Sequence, residues 1–361
     1  MEKISIVQNV GIYLDVRDEK RRHILADRLR RQMDGFAEYY QGKPEQYRVI
    51  VKDLMELEIP DGAVSVPDNA YFKCGLFYSI EAKVAFRETD EGMIFWTDEN
   101  VWYLPYMLEY IWERQGATFV HGAAVSKDGE GFLLVAFGGI GKTCFISEAV
   151  KQKSVKILGD DLIILNREGN LYSFPRPFCL YEYHKGLFPE YFKGKKFHFE
   201  ELRPDRYILR IMRKLKKELH IKDTIIYDYL PVSPIHLFAR EKVETESVPV
   251  KKIFLVRRIK GLTKVNTRPF TDIEQAVNFA HDVIQHEWSV GVRLEFNYLA
   301  HTGEAYTSRA QKQYDIILSA FQRAGHIAQV DIPENMSAEE VSKALYKIVL
   351  NNSCGEHIDC C

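Results

Sequence analysis

Apolar and polar positions alternate in short stretches through the first hundred residues. KISIVQNVGIYLDV, QYRVIVKDL and GMIFWT are rich in β-branched and aromatic residues and are bounded by turn formers, which predicts strands of one sheet. Residues 17–33 break that rhythm. There Ile24, Leu25 and Leu29 recur at helical spacing among Arg and Lys, which predicts a surface helix with one buried stripe. From about Trp102 the texture changes: Leu104, Leu108, Ile111 and Trp112 share one helical face, and Gly116 is placed to stop the helix. A strand follows over ATFVHGAAVS, then a charged turn, then Phe132 to Phe137, where every position is apolar. Unbroken apolarity predicts a strand covered on both faces, as at the centre of an α/β sheet. It runs directly into GGIGKTC and a helical FISEAVKQK. Further along, KKIFLVRR predicts another core strand, and DIEQAVNFAHDVIQHEW and AEEVSKALYKIVLNN predict helices.

These elements describe an α/β protein in three parts. A strand-rich α+β accessory region is expected over 1–100, a domain built around the glycine-rich loop over 101–300, and a C-terminal helical region and tail over 301–361. With 46% hydrophobic and 28% charged residues the chain has the apolar content to fold, and a formal net charge of −2 excludes a bulk polycation that attracts nucleic acid by charge alone. Six cysteines in 361 residues are too sparse and uneven for a disulfide framework. The opening residues lack the apolar core of a secretory leader, and no apolar run approaches the roughly 20 residues that cross a bilayer, so a cytoplasmic protein with no membrane partner is expected.

The chemistry is concentrated in Ala136 to Thr143, AFGGIGKT. A phosphate-binding loop of the Walker A type needs glycines so that backbone N–H groups can close around phosphate oxygens. It also needs a Lys for the β and γ phosphates and a Ser or Thr hydroxyl for Mg²⁺. Gly138, Gly139, Ile140, Gly141, Lys142, Thr143 and Cys144 are placed to supply these between a strand and a helix, and they are the expected nucleotide-binding residues. Ala136 stands where the consensus has its first glycine. Asp160 and Asp161 follow at the end of an apolar stretch, VKILGDDLIILN. Two adjacent carboxylates are costly there unless a cation or a proton uses them: one can hold Mg²⁺ and the other can take the proton of an attacking hydroxyl. His121, in FVHGAAV, reads by itself as a satisfied core histidine.

A His-Gly on one strand, a glycine-rich GKT loop after the next and an Asp-Asp pair beyond it resemble the catalytic domain of the HPr kinase/phosphorylase family, whose P-loop fold is shared with phosphoenolpyruvate carboxykinase. The resemblance covers about 117–166 and, more weakly, 253–258. It implies that Lys142 and Thr143 bind phosphate and Mg²⁺, that Asp160 is the catalytic base, that Asp161 holds the metal, and that His121 sits beside the base and tunes it. The segment after Asp161 lacks the Arg-Gly-rich signature of the bifunctional enzymes. The implied activity is therefore ATP-dependent (or another nucleoside triphosphate) transfer of the γ-phosphoryl group to a hydroxyl, such as a serine of a protein or peptide other than HPr. The alternative is a non-catalytic nucleotide-binding sensor or assembly module.

Lesser candidates remain. Between Lys193 and Lys222 there are eleven Lys or Arg against four Asp or Glu, a local excess of +7. This segment reads either as a solvated helix face or as an electrostatic guide for an acidic acceptor. Arg176, Arg257 and Arg258 are the arginines that could offset charge on a transferred group, or could simply form surface ion pairs. Cys144, at a helix start, occupies a position where a thiol pKa can fall. Cys354, His357, Cys360 and Cys361 are metal-capable types without the spacing of a structural zinc site and read as a tail. No specific nucleic-acid motif is present, and self-association is neither required nor excluded.

Overall fold

The computed structural model describes the chain except residues 8, 34–44, 67–69, 99–100, 175, 194–228, 304 and 352–361. It is a mixed α/β protein with several sheets. The N-terminal strands are β1 (Glu2–Val7), β2 (Val10–Leu14), β3 (Tyr47–Asp53), β4 (Val64–Val66), β5 (Ala70–Lys73), β6 (Leu76–Ser79), β7 (Val84–Thr89) and β8 (Gly92–Thr97). They form one sheet in the order β1-β2-β3-β8-β7-β6-β5-β4. Helix α1 (Glu19–Met33) crosses from β2 to its parallel neighbour β3 and buries Leu25 and Leu29, two of the three residues of the expected stripe.

Helix α2 (Leu104–Glu113) leads out of this sheet, and it buries Leu104, Leu108, Ile111 and Trp112 as its pattern requires. The second sheet contains β9 (Ala117–Lys127), β10 (Glu130–Val135), β11 (Val155–Asn166), β12 (Asn170–Tyr172), β15 (Val248–Ile259), β16 (Asn266–Pro269) and β17 (His326–Pro333), while β13 (Phe178–Leu180) and β14 (Leu230–Val232) pair separately. β9 lies antiparallel between β10 and β11; β10 runs parallel to β15, and β15 parallel to β17.

This sheet is covered on both sides, which accounts for the continuous apolarity of its strands. Because side chains alternate across a strand, Phe132, Leu134, Phe254 and Val256 enter one core with helix α3 (Lys142–Ala149). Leu133, Val135, Ile253 and Leu255 enter another with helix α4 (Ile273–Glu287). Helices α5 (Ser289–Thr302) and α6 (Tyr306–Arg323) follow, and α7 (Ala338–Tyr346) packs back on α3. Residues 301–361, expected to be helical with a tail, contribute β17 to this sheet, between β15 and the edge strand β16. The HIAQVDIP sequence of β17 mixes polar and apolar positions and gives no strong strand signal until it has β15 and β16 as neighbours.

One further core joins the two sheets. Phe77 and Phe86 of the first sheet pack around Tyr298 of α5 with ring centroids at 5.8 and 4.7 Å, and the same cluster continues through Trp112 to Phe119 and Leu162 of the second sheet. The N-terminal region is thereby fixed beside the glycine-rich loop. No helix among the described residues is long and apolar enough to cross a membrane.

Candidate active site

The glycine-rich loop leaves β10 at Val135 and enters α3 at Lys142. Gly141 caps the helix at φ +117°, and a Cβ there would stand 2.4 Å from Val341 Cγ1 of α7, so both backbone and packing require glycine. Ala136 has no positive φ and its methyl is fully buried against the core, so glycine is not needed where the consensus has it. The loop brings backbone N–H groups to the start of α3, an arrangement that suits an anion.

Two contacts fill that loop from within the chain. Gly138 N–H donates to Glu287 Oε1 at 2.7 Å, so a carboxylate from the end of α4 already occupies an anion position. The Lys142 ammonium folds over the loop and donates to the carbonyl oxygens of Phe137 at 3.1 Å and Ala136 at 3.4 Å.

The aspartates arrive on β11 just after a register shift between Ile157 and Gly159, and they are placed opposite Ala123 and Gly122 of β9. A Cβ on Gly122 would meet Leu134 O at 2.3 Å, so the strands close tightly here only with glycine beside His121. Asp160 points into the protein, where Thr143 Oγ1 donates to its Oδ2 at 2.5 Å. Its other oxygen is buried with no hydrogen-bond partner among the described residues. Burial, and then the charge of Asp161, push its carboxyl up to about 7.

Asp161 differs from its neighbour in every respect. It sits at φ +71°, a conformation Asp adopts more readily than most residues, and its side chain is 31% exposed. Lys142 Nζ and His121 Nε2 each lie 3.8 Å from its Oδ1. Burial opposes its charge, but the charges of Lys142 and then Arg176 outweigh that and hold it below the usual carboxylate range. His121 lies 2.8 Å from Ala136 O through Nδ1. A carbonyl can only accept, so Nδ1 carries the proton and the bare Nε2 faces Asp161. Burial, then Lys142, lower this imidazole to about 4 and keep it neutral.

These groups open into one cleft of about 690 Å³. His121, Gly138, Gly139, Gly141, Lys142, Thr143, Asp160 and Asp161 all line it, whereas Ile140 and Cys144 do not. The Cys144 thiol is buried, and burial followed by the charge of Asp160 pushes it up to about 12, the opposite of the fall allowed for at a helix start. Arg257 pairs with Asp331 at 2.8 Å and Arg258 donates to Glu334 O at 2.6 Å, both away from the cleft, while Arg176 lines it. The basic segment Lys193–Lys222 lies, apart from Lys193, outside the described residues, as does the CGEHIDCC tail.

Thr143 Oγ1 and Asp160 are hard oxygen donors side by side, and the unpartnered Asp160 oxygen fits a divalent cation such as Mg²⁺. Among the described residues no three His, Cys, Asp or Glu side chains gather into an all-protein metal cage. A magnesium ion at Thr143 and Asp160 would therefore share its shell with water or ligand oxygens.

Several lining residues carried no sequence signal. Glu287 and Trp288 end an ordinary amphipathic helix, and Arg28 and Arg31 belong to the surface face of α1. Trp102, Tyr181 and Tyr183 are visible only as exposed aromatics once the fold is known. Comparison with protein-family models and with curated proteins finds no match to this chain.

Proposed function

We propose that this protein is a phosphotransferase with a P-loop kinase fold of the HPr-kinase and phosphoenolpyruvate-carboxykinase type. It moves the γ-phosphoryl group of ATP, or another nucleoside triphosphate, to a hydroxyl on a peptide or protein. The observation that carries the reading is the convergence in one cleft of a glycine-rich loop at a helix start, the Thr143–Asp160 pair and the Lys142–Asp161–His121 cluster.

The loop N–H groups from Gly138 to Lys142 and the Lys142 ammonium bind the β and γ phosphates, displacing Glu287 from Gly138. Magnesium held by Thr143 and Asp160 neutralises charge on those phosphates when bound. Asp161 is the carboxylate that faces the acceptor. The acceptor oxygen forms a bond to the γ phosphorus, the bridging oxygen–γ-phosphorus bond breaks, the nucleoside diphosphate leaves, and the acceptor proton passes to Asp161. Lys142 keeps the Asp161 carboxylate ionised, and the neutral His121 stands beside it, its bare Nε2 turned toward the same oxygen. This assignment exchanges the roles that the family resemblance implies for the two aspartates. Its basis is access: Asp160 is 5% exposed and already bonded to the loop threonine, whereas Asp161 is turned into the cleft.

Incubation with γ-labelled ATP, Mg²⁺ and serine-containing peptides tests the proposal. Label is expected on a hydroxyl and lost in Asp161→Asn. Nucleotide binding without any transfer would favour the sensor reading.

A further inference from the structure

Among the described residues, seven large hydrophobic side chains are exposed. Three of them are aromatic, Trp102 (52%), Tyr181 (37%) and Tyr183 (44%), and all three line the cleft. Exposed aromatic surface gathered at one concave site marks a binding surface rather than ordinary surface scatter. The side chains are also ordered against one another. Tyr181 and Tyr183 are stacked, with centroids 5.5 Å apart and planes within 5°, and the Arg176 guanidinium lies 5.6 Å over the Trp102 ring.

This platform shares the cleft with the glycine-rich loop. Arg176 and Tyr181 come from the segment after β12 and interact electrostatically with Asp161, in the same cleft that the loop glycines and Lys142 line. Arg176 takes part in no ion pair among the described residues, so its guanidinium has its donors free for a ligand carboxylate. A guanidinium held over an indole face is restrained by that contact while its N–H donors can still meet a carboxylate, which suits recognition of an acidic group.

We propose that Arg176, Trp102, Tyr181 and Tyr183 form the acceptor subsite, and that it takes a peptide whose phosphorylated hydroxyl is flanked by an acidic residue and an aromatic one. The acidic residue meets Arg176, the aromatic side chain stacks on the Tyr181–Tyr183 platform, and the hydroxyl between them is delivered to Asp161. Transfer proceeds with the bond changes given above. The assignment rests on the kinase reading and adds the substrate class to it.

The test uses a positional library of serine-centred peptides with γ-labelled ATP and Mg²⁺, with nucleotide affinity measured in parallel. Wild type is expected to favour Asp or Glu and Phe, Tyr or Trp within a few positions of the serine. Arg176→Gln should erase the acidic preference, a loss on the order of tenfold to a hundredfold for a charged hydrogen-bonded contact, with nucleotide affinity unchanged. Arg176→Lys should keep part of it, and Trp102→Ala should weaken it. Labelling that ignores flanking charge, an absence of any labelled peptide despite nucleotide binding, or a parallel fall of nucleotide affinity in Arg176→Gln would overturn the subsite and leave the nucleotide site standing. Failure of the wild-type protein to bind nucleotide would overturn the kinase reading, and this assignment with it.

Discussion

Thr143 Oγ1 donates to Asp160 Oδ2 at 2.5 Å, which closes a loop hydroxyl and a strand carboxylate seventeen residues apart into one pair. Asp161, the next residue, turns the other way and meets Lys142 and His121 instead. The two carboxylates thus occupy different environments, one buried and raised, the other half-open and held ionised. Distinct environments are how a site gives adjacent carboxylates different tasks.

That division predicts opposite phenotypes. Asp161→Asn should leave Mg²⁺-dependent nucleotide affinity nearly intact and reduce phosphoryl transfer by roughly 10²- to 10⁴-fold, the range for loss of a general base. Asp160→Asn should weaken the Mg²⁺ dependence of nucleotide binding itself. Binding isotherms with and without Mg²⁺, paired with transfer rates, separate the two. The reverse pattern would restore Asp160 as the base.

Glu287 competes for the anion position at Gly138 N–H. Its removal should therefore help a phosphate. Glu287→Gln is expected to tighten nucleotide binding by about fivefold, equivalent to the ~1 kcal/mol that two unit charges exchange at 4 Å in water, and the gain should shrink as salt rises. Weaker binding in the variant would mean that Glu287 supports the loop rather than competing for it.

His184 links the acceptor wall to stability. It is buried and accepts from Tyr181 N–H through Nδ1 at 3.1 Å, and burial lowers its pKa to about 4. Between pH 6.5 and 4 the unfolded chain binds a proton here that the folded chain refuses. This group's contribution is therefore complete above pH 6.5 and is lost as pH falls through that window, by up to about tenfold in the folding equilibrium per pH unit. His184→Asn, which keeps an acceptor near Nδ1, should be less stable at neutral pH but show a shallower decline on acidification. Urea unfolding at pH 7, 6 and 5 gives the slopes, and parallel slopes would refute the assignment.

Much of this site was legible because its parts are close in sequence. The loop, its strand and its helix form one continuous unit, so the 2-periodic and 3.6-periodic patterns on either side locate it. The Asp pair stands out because adjacent charges in an apolar stretch need a reason, although the structure sets them in the middle of β11 and not, as the sequence suggests, at the end of a strand. The relationships between parts were not legible. Nothing in LGDDL says that a register shift and a positive φ turn Asp161 toward Lys142 while Asp160 goes to Thr143. Glu287 reaches Gly138 across 149 residues, and Trp102 meets Arg176 from a different part of the chain. β17 escaped notice because a strand flanked by others can carry polar positions that an isolated pattern would not predict.

The central claim is that the Gly138–Thr143 loop is a nucleoside triphosphate site. Titration of a fluorescent ATP analogue against wild type and Lys142→Ala, in the presence of Mg²⁺, tests it most directly. Saturable binding by wild type and at least about tenfold weaker binding by Lys142→Ala are predicted, since the ammonium is worth a charged hydrogen bond to phosphate. Equal affinity of the two proteins, or no binding to either, would contradict it.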